Sequence, residues 1–112
     1  YQEAELIGNP DFKQLIVGWG STHGVCREFI ETTDISDVAY LYVKQPYPLS
    51  PSLKRYFDQS ENTIVIENNF TGQFANLLKL HLDVKVDHKI NKYSGEPFFV
   101  DEVDTRLKEV LQ

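Results

Sequence analysis

Three short apolar runs limit the folds open to this chain: Lys13–Trp19 (KQLIVGW), Val38–Val43 (VAYLYV) and Asn62–Glu67 (NTIVIE). Each is nearly continuous in Val, Ile, Leu and aromatic residues, as expected of strands buried on both faces. Between and after them lie stretches whose apolar residues recur at helical spacing. One helix is expected from about His23 to Thr33, with Val25, Cys26, Phe29 and Ile30 on one face. Another is expected over Gln73–Leu82, with Phe74, Leu77, Leu78 and Leu82 inward. Alternation of this kind implies an α/β sandwich around a mainly parallel sheet.

The remaining segments fit that frame. Ser50-Pro51 reads as an N-cap followed by Pro at the first helical position, opening a short helix that buries Leu53, Tyr56 and Phe57. Val84–Ile90 alternates Val84, Val86, His88 and Ile90 with charged residues, the pattern of an edge strand with one wet side. Tyr93–Phe99 reads as loop, and Asp101 as the cap of a last helix that buries Val103, Leu107, Val110 and Leu111. Ala4–Ile7 is a candidate extra edge strand. A length of 112 residues with neither repeat nor linker suits one domain.

Composition narrows function. A net charge of -6 argues against nucleic acid and against anionic membrane surfaces, since phosphate binding needs a Lys/Arg surplus. No apolar run approaches the ~20 residues needed to span a bilayer. Cys26 is the single cysteine, so the chain holds no internal disulfide, no all-Cys cluster site and no CxxC zinc site, and a cytoplasmic setting is expected. No Met is present and the chain starts at Tyr1, which fits a piece of a longer polypeptide.

Crossovers between parallel strands are right-handed, so if the Lys13–Trp19 strand lies centrally, the Val38–Val43 strand goes to one side of it and the Asn62–Glu67 strand to the other. The chain reverses direction there, and ligands of open α/β sheets bind beyond the strand carboxyl ends at such a point. Two loops converge on it: one through Gly20, Ser21 and Thr22, the other through Glu67, Asn68, Asn69, Thr71, Gly72 and Gln73. Both lead into helix N-termini, where free N–H groups favour anions.

The glycines of the first loop, Gly18, Gly20 and Gly24, follow G-x-G-x-x-x-G, one residue too long for a dinucleotide fingerprint, and no Walker lysine follows. They suit a tight strand-to-helix turn. His23 reads as a solvent-exposed side chain at a helix start, and the three histidines share no metal-ligand spacing. Glu67 stands where a catalytic carboxylate could sit, or where one could accept N–H groups of the next turn. Asn68 and Asn69 suit tight-turn geometry and Thr71 suits a helix cap. Pro46-Tyr47-Pro48 is a rigid elbow or a docking ridge.

The ordered motifs resemble a known family. Gly-Trp-Gly-Ser-Thr-x-Gly (18–24), Pro-x-Pro (46–48), Glu-Asn-Asn-Phe-Thr-Gly-Gln (67–73) and Lys-Tyr-Ser-Gly-Glu-Pro-Phe (92–98) follow successive elements. Together they look like the C-terminal domain of the α subunit of 2-oxoacid:ferredoxin oxidoreductases, of the 2-oxoglutarate and pyruvate type. The likeness covers roughly residues 13–112. It implies a transketolase C-terminal-domain-like fold, a three-layer α/β/α sandwich with a five-strand, mostly parallel sheet and one antiparallel edge strand. It also implies membership of a complex that oxidatively decarboxylates 2-oxoacids with coenzyme A, giving acyl-CoA, carbon dioxide and reduced ferredoxin. Thiamine diphosphate, Mg2+ and iron–sulfur clusters would belong to the whole complex and none to this domain. The partners implied are the preceding α-subunit domain and the β subunit, with the isolated domain inactive and no catalytic residue in it. The alternative is a stand-alone module that binds an anion or nucleotide through the two switch-point loops.

Overall fold

In the computed structural model, residues 4–44, 49–67, 73–91 and 100–112 are described. Among these residues five strands form one sheet: β1 (Glu5–Gly8), β2 (Gln14–Trp19), β3 (Val38–Val43), β4 (Asn62–Glu67) and β5 (His88–Asn91). Their spatial order is β1-β3-β2-β4-β5, with β1 antiparallel to β3 and every other pair parallel. This is the expected five-strand, mostly parallel sheet with one antiparallel edge, and Glu5–Gly8 is the extra edge strand.

Among the described residues four helices flank it: α1 (His23–Thr32), α2 (Lys54–Gln59), α3 (Gln73–Leu82) and α4 (Val100–Val110). Alternate residues of β2, β3 and β4 point to opposite faces and build two separate cores. Leu15, Val17, Leu41 and Val65 meet Leu53, Phe57, Phe74, Leu78 and Leu82 on the side of α2 and α3. Ile16, Tyr40, Ile64 and Ile66 meet Cys26, Phe29, Val103 and Leu107 on the side of α1 and α4. Burial on both faces is why the central strands are apolar without interruption.

Helix starts follow local chemistry. Ser50 accepts the Ser52 N–H at 3.4 Å, and Pro51 begins a 3-10 turn over Pro51–Leu53 that runs on into α2. At the far end, α4 includes Asp101 as an internal residue, so Asp101 is not its cap. The loop expected over Tyr93–Phe99 lies outside the described residues.

The last strand is shorter than its alternating pattern predicts. Residues 84–87 are not strand, because Asp87 occupies the ladder position opposite Thr63 in its own way. The Thr63 N–H donates to Asp87 Oδ2 at 2.8 Å, and the Asp87 N–H donates to the Thr63 carbonyl at 2.9 Å. The side chain thus takes a donor that a longer strand would have paired through its backbone. Val84 and Val86 instead pack, half-buried, against the core under α2 and α3.

At the amino ends of the central strands a buried polar network joins the sheet to the chain's last residues. Asn62 donates from Nδ2 to Gln14 Oε1 at 3.0 Å and to the Val110 carbonyl at 3.0 Å. Gln14 donates from Nε2 to Asp37 Oδ1 and to the Gln112 carbonyl, each at 3.0 Å, and accepts the Gln112 N–H at 2.7 Å. Gln14 and Asn62 are register partners, so adjacent strands present both amides at one level. Their polarity is compatible with burial because these bonds satisfy it.

Candidate functional site

The carboxyl ends of β2 and β4 lie side by side, with Gly18 paired to Ile66, and the two loops predicted to converge start from them. The first loop is a 3-10 turn over Gly20–Thr22 that leads directly into α1. Gly20 enters it at φ +65°, a left-handed conformation that glycine adopts freely and that costs other residues about 1–2 kcal/mol. Gly18 is required for space: a Cβ there would lie 2.8 Å from Thr22 Oγ1 and 3.4 Å from Tyr40 Cε1. Thr22 is buried and donates from Oγ1 to the Trp19 carbonyl at 3.0 Å, closing the turn. Its hydroxyl is therefore committed to local structure. Ser21 lies in the turn, and its side chain lies outside the described residues.

Below this turn sits Cys26. Burial pushes its thiol up to about 12, with a hydrogen bond to the Thr22 side chain working in the opposite direction. A thiol so held is a small hydrophobe and not a nucleophile at neutral pH.

His23 departs from expectation. It is half-buried, stacked on Tyr42 with ring centroids 3.8 Å apart at 21°, and its Nδ1 lies 3.1 Å from the Tyr40 hydroxyl. Burial, with Cys26, Tyr42 and Glu5 as nearby potential charges, holds the Tyr40 phenol above the usual tyrosine range. The cluster is visible only once α1 is laid over β3. Its sequence signal is Tyr40 and Tyr42 on one strand face.

The second loop begins at Glu67, whose side chain is 1% exposed. Its Oε1 accepts the Phe74 N–H at 2.8 Å and its Oε2 accepts the Ala75 N–H at 3.0 Å. Of the two roles open to it from sequence, the structure has it accepting the backbone donors of the next helix turn. Charge-assisted bonds to otherwise unpartnered first-turn N–H groups are the strong kind. Asn68, Asn69, Thr71, Gly72 and the Gln73 side chain lie outside the described residues, as does Pro46-Tyr47-Pro48. Gln73 itself opens α3.

An aromatic contact joins the two loops. Trp19, at the end of β2, packs against Phe74, in the first turn of α3, with centroids 6.2 Å apart at 54°. Phe74 is buried, whereas Trp19 is 37% exposed. Among the described residues no group of three or more His, Cys, Asp or Glu comes together that could hold a metal ion. A cleft of about 270 Å³ lies instead at the amino end of β4, with Asp58, Glu61, Asp83 and Asp87 in its wall against Lys85. Its charge is unsuited to an anionic ligand.

No family model matches the chain. Known proteins do. The 2-oxoacid:ferredoxin oxidoreductase subunit alpha of Saccharolobus solfataricus is 29% identical over 111 residues, which is 96% of this chain and 17% of that subunit. The alpha chain of a probable 2-oxoacid ferredoxin oxidoreductase from Thermoplasma acidophilum is 30% identical, with 96% of this chain and 95% of that one aligned at a TM-score of 0.63. The chain belongs to the 2-oxoacid:ferredoxin oxidoreductase α-subunit family.

The 2-oxoglutarate:ferredoxin oxidoreductase of Magnetococcus marinus, solved with 2-oxoglutarate, coenzyme A and succinyl-CoA bound, aligns with all of this chain at a TM-score of 0.88 and 28% identity. The aligned part is 20% of that longer chain. This chain therefore spans about a sixth of the curated 2-oxoacid:ferredoxin oxidoreductase α subunit it matches, 17% of its length. No helix among the described residues is long and apolar enough to cross a membrane.

Proposed function

We propose that this chain is the C-terminal domain of a 2-oxoacid:ferredoxin oxidoreductase α subunit and serves the complex by packing, not by reacting. The observation that carries the reading is the overlay of the whole chain on one fifth of the Magnetococcus marinus enzyme chain. The complex would oxidatively decarboxylate a 2-oxoacid with coenzyme A to acyl-CoA, carbon dioxide and reduced ferredoxin, in the cytoplasm. Thiamine diphosphate with Mg2+ would supply the carbanion chemistry and iron–sulfur clusters the electron path, all held by other parts of the assembly. Selection of the 2-oxoacid would rest with those parts as well.

Local chemistry supports a supporting role. The Glu67 carboxylate is bonded to the first turn of α3, the Thr22 hydroxyl closes its own turn, and burial keeps the Cys26 thiol protonated. A group spent on holding backbone is poorly placed to move a substrate proton. The loops through Gly20, Ser21 and Thr22, and through Glu67, Asn68, Asn69, Thr71, Gly72 and Gln73, are then docking segments against the preceding α-subunit domain and the β subunit.

The anion-binding alternative is weakened at the second loop. The Phe74 and Ala75 N–H groups that would greet a phosphate already hold a carboxylate, and a second anion would be repelled by it. Two measurements test the reading. The isolated chain mixed with a 2-oxoacid, coenzyme A and a ferredoxin substitute is expected to show no turnover, and measurable turnover overturns the proposal. Calorimetry against phosphate, nucleotides and coenzyme A is expected to be silent, and a saturable heat would favour the binding module.

A further inference from the structure

We infer that Glu67 is a positioning residue for the docking surface: through Phe74 it fixes the outward-facing Trp19 at the carboxyl edge of the sheet. The inference rests on the docking role proposed above and names one device behind it. The occupant of the surface is the remainder of the α subunit, since the chain spans only 17% of a curated relative's length and most of that subunit lies elsewhere.

Three contacts make the chain of action. Glu67 is the last residue of β4, one beyond the final β2–β4 pair, Gly18 with Ile66, and it is paired with Asn91 of β5, so its backbone is fixed by the sheet. Its two carboxylate oxygens grip successive N–H groups, those of Phe74 and Ala75, at 2.8 and 3.0 Å. A two-point grip sets both the position and the rotation of the first turn of α3, which a single capping oxygen would not. Rotation matters because the Phe74 ring is 1% exposed and lies beneath Trp19, 6.2 Å between centroids.

The backbone of Trp19 is held by its pairing with Val43 of β3 and by the Thr22 hydroxyl on its carbonyl, whereas the indole ring, one residue beyond the β2–β4 register, meets the Phe74 ring. Among the described residues, Trp19 and Leu80 are the exposed large apolar side chains. Trp is the residue type most enriched at binding hot spots, where a rigid, pre-placed ring avoids an ordering cost. Glu67 thus carries the rigidity of β4 through Phe74 to the indole ring, whose backbone alone is fixed by the pairing with β3.

Trp19 is the single Trp of the chain, so its emission and its quenching by acrylamide report this position alone. Glu67→Ala is expected to shift the emission to the red and raise the quenching constant, with Glu67→Gln, which keeps one acceptor oxygen, intermediate. In a Phe74→Leu background the same Glu67→Ala change is expected to have no further effect on Trp19. Leu82→Ala, at the other end of α3 in the same core, is expected to lower stability and leave Trp19 unchanged. Unaltered quenching in Glu67→Ala, or in Glu67→Gln should the former lose its helical circular dichroism, would overturn the inference, as would an undiminished effect in the Phe74→Leu background. Binding of the parent chain to the remainder of the α subunit is measured separately. Loss there sinks the docking role whatever Trp19 does, whereas retained binding with an unmoved Trp19 sinks only the positioning role.

Discussion

Glu67 and Phe74, seven residues apart, are joined carboxylate to backbone N–H at 2.8 Å with the acid buried to 1% exposure. A buried carboxylate needs such partners, and the partners need it: the first-turn donors of α3 would otherwise be buried and unmet. Glu67→Ala leaves two N–H groups without their acceptor and is expected to cost about 2–4 kcal/mol, from about 1–3 kcal/mol for each buried unmet polar group with partial relaxation. Glu67→Gln retains one acceptor and is expected to cost about half as much. Urea unfolding of the three chains at equal slope checks the order.

Gly18 tests packing and not backbone conformation. The Cβ of Gly18→Ala would press to 2.8 Å on Thr22 Oγ1, so the hydroxyl must abandon the Trp19 carbonyl 3.0 Å away. A cost of about 1–3 kcal/mol is expected from overpacking. Thr22→Ala removes both the clash and the hydrogen bond, so the pair is expected to be less destabilised than the sum of the two single changes. Gly20→Ala meets no atom within 4 Å and suffers only from φ +65°, so no substitution at Thr22 is expected to relieve it. Thermal or urea melts of the two cycles distinguish a steric origin from a conformational one.

Cys26 is fully buried, and its thiol is pushed up to about 12 by that burial. Thiolate is the reactive form, so the folded chain is expected to resist a disulfide reagent such as Ellman's at pH 8. The same reagent is expected to react at once in denaturant. A folded-state rate within a few-fold of the unfolded rate would show that the site opens locally, without global unfolding.

The sequence revealed the frame because the three central strands had to be apolar on both faces. The ranges Val38–Val43, Asn62–Glu67 and Gln73–Leu82 coincide with β3, β4 and α3, and Glu5–Gly8 supplies the edge. What it concealed depended on contacts between distant residues. His23 meets Tyr40 and Tyr42 only because α1 crosses β3, and an isolated His at a helix start carries no sign of it. Gln14 and Asn62 are polar at the start of buried strands, and their meaning required knowing that the chain's last residues return to them. At Glu67 two roles were open from sequence, and the choice lay in the direction of α3. At β5 the period-two pattern of Val84 and Val86 was real but served packing under α2 and α3, while an aspartate set the strand's start.

That aspartate also gives the fold a predictable acid sensitivity. Burial alone would raise the Asp87 carboxyl, but the Thr63 N–H, the Lys85 ammonium at 3.2 Å and nearby His88 outweigh it and hold it below the ordinary aspartate range. A carboxyl depressed in the folded state stabilises the fold fully above its unfolded value, about 3.9, and loses that contribution as pH falls through the lower folded value. Unfolding free energy is therefore expected to fall as pH drops below about 4. Asp87→Asn keeps an acceptor for the Thr63 N–H while removing the titration. It is expected to be less stable than the parent at pH 7, and the difference is expected to shrink as pH falls below about 4. Lys85→Ala, which leaves the Thr63 bond in place, is expected to reduce the same acid slope only in part, because the exposed lysine is screened by solvent. Urea unfolding of the three chains across that range measures it, and parallel curves for parent and Asp87→Asn would exclude Asp87 as the source.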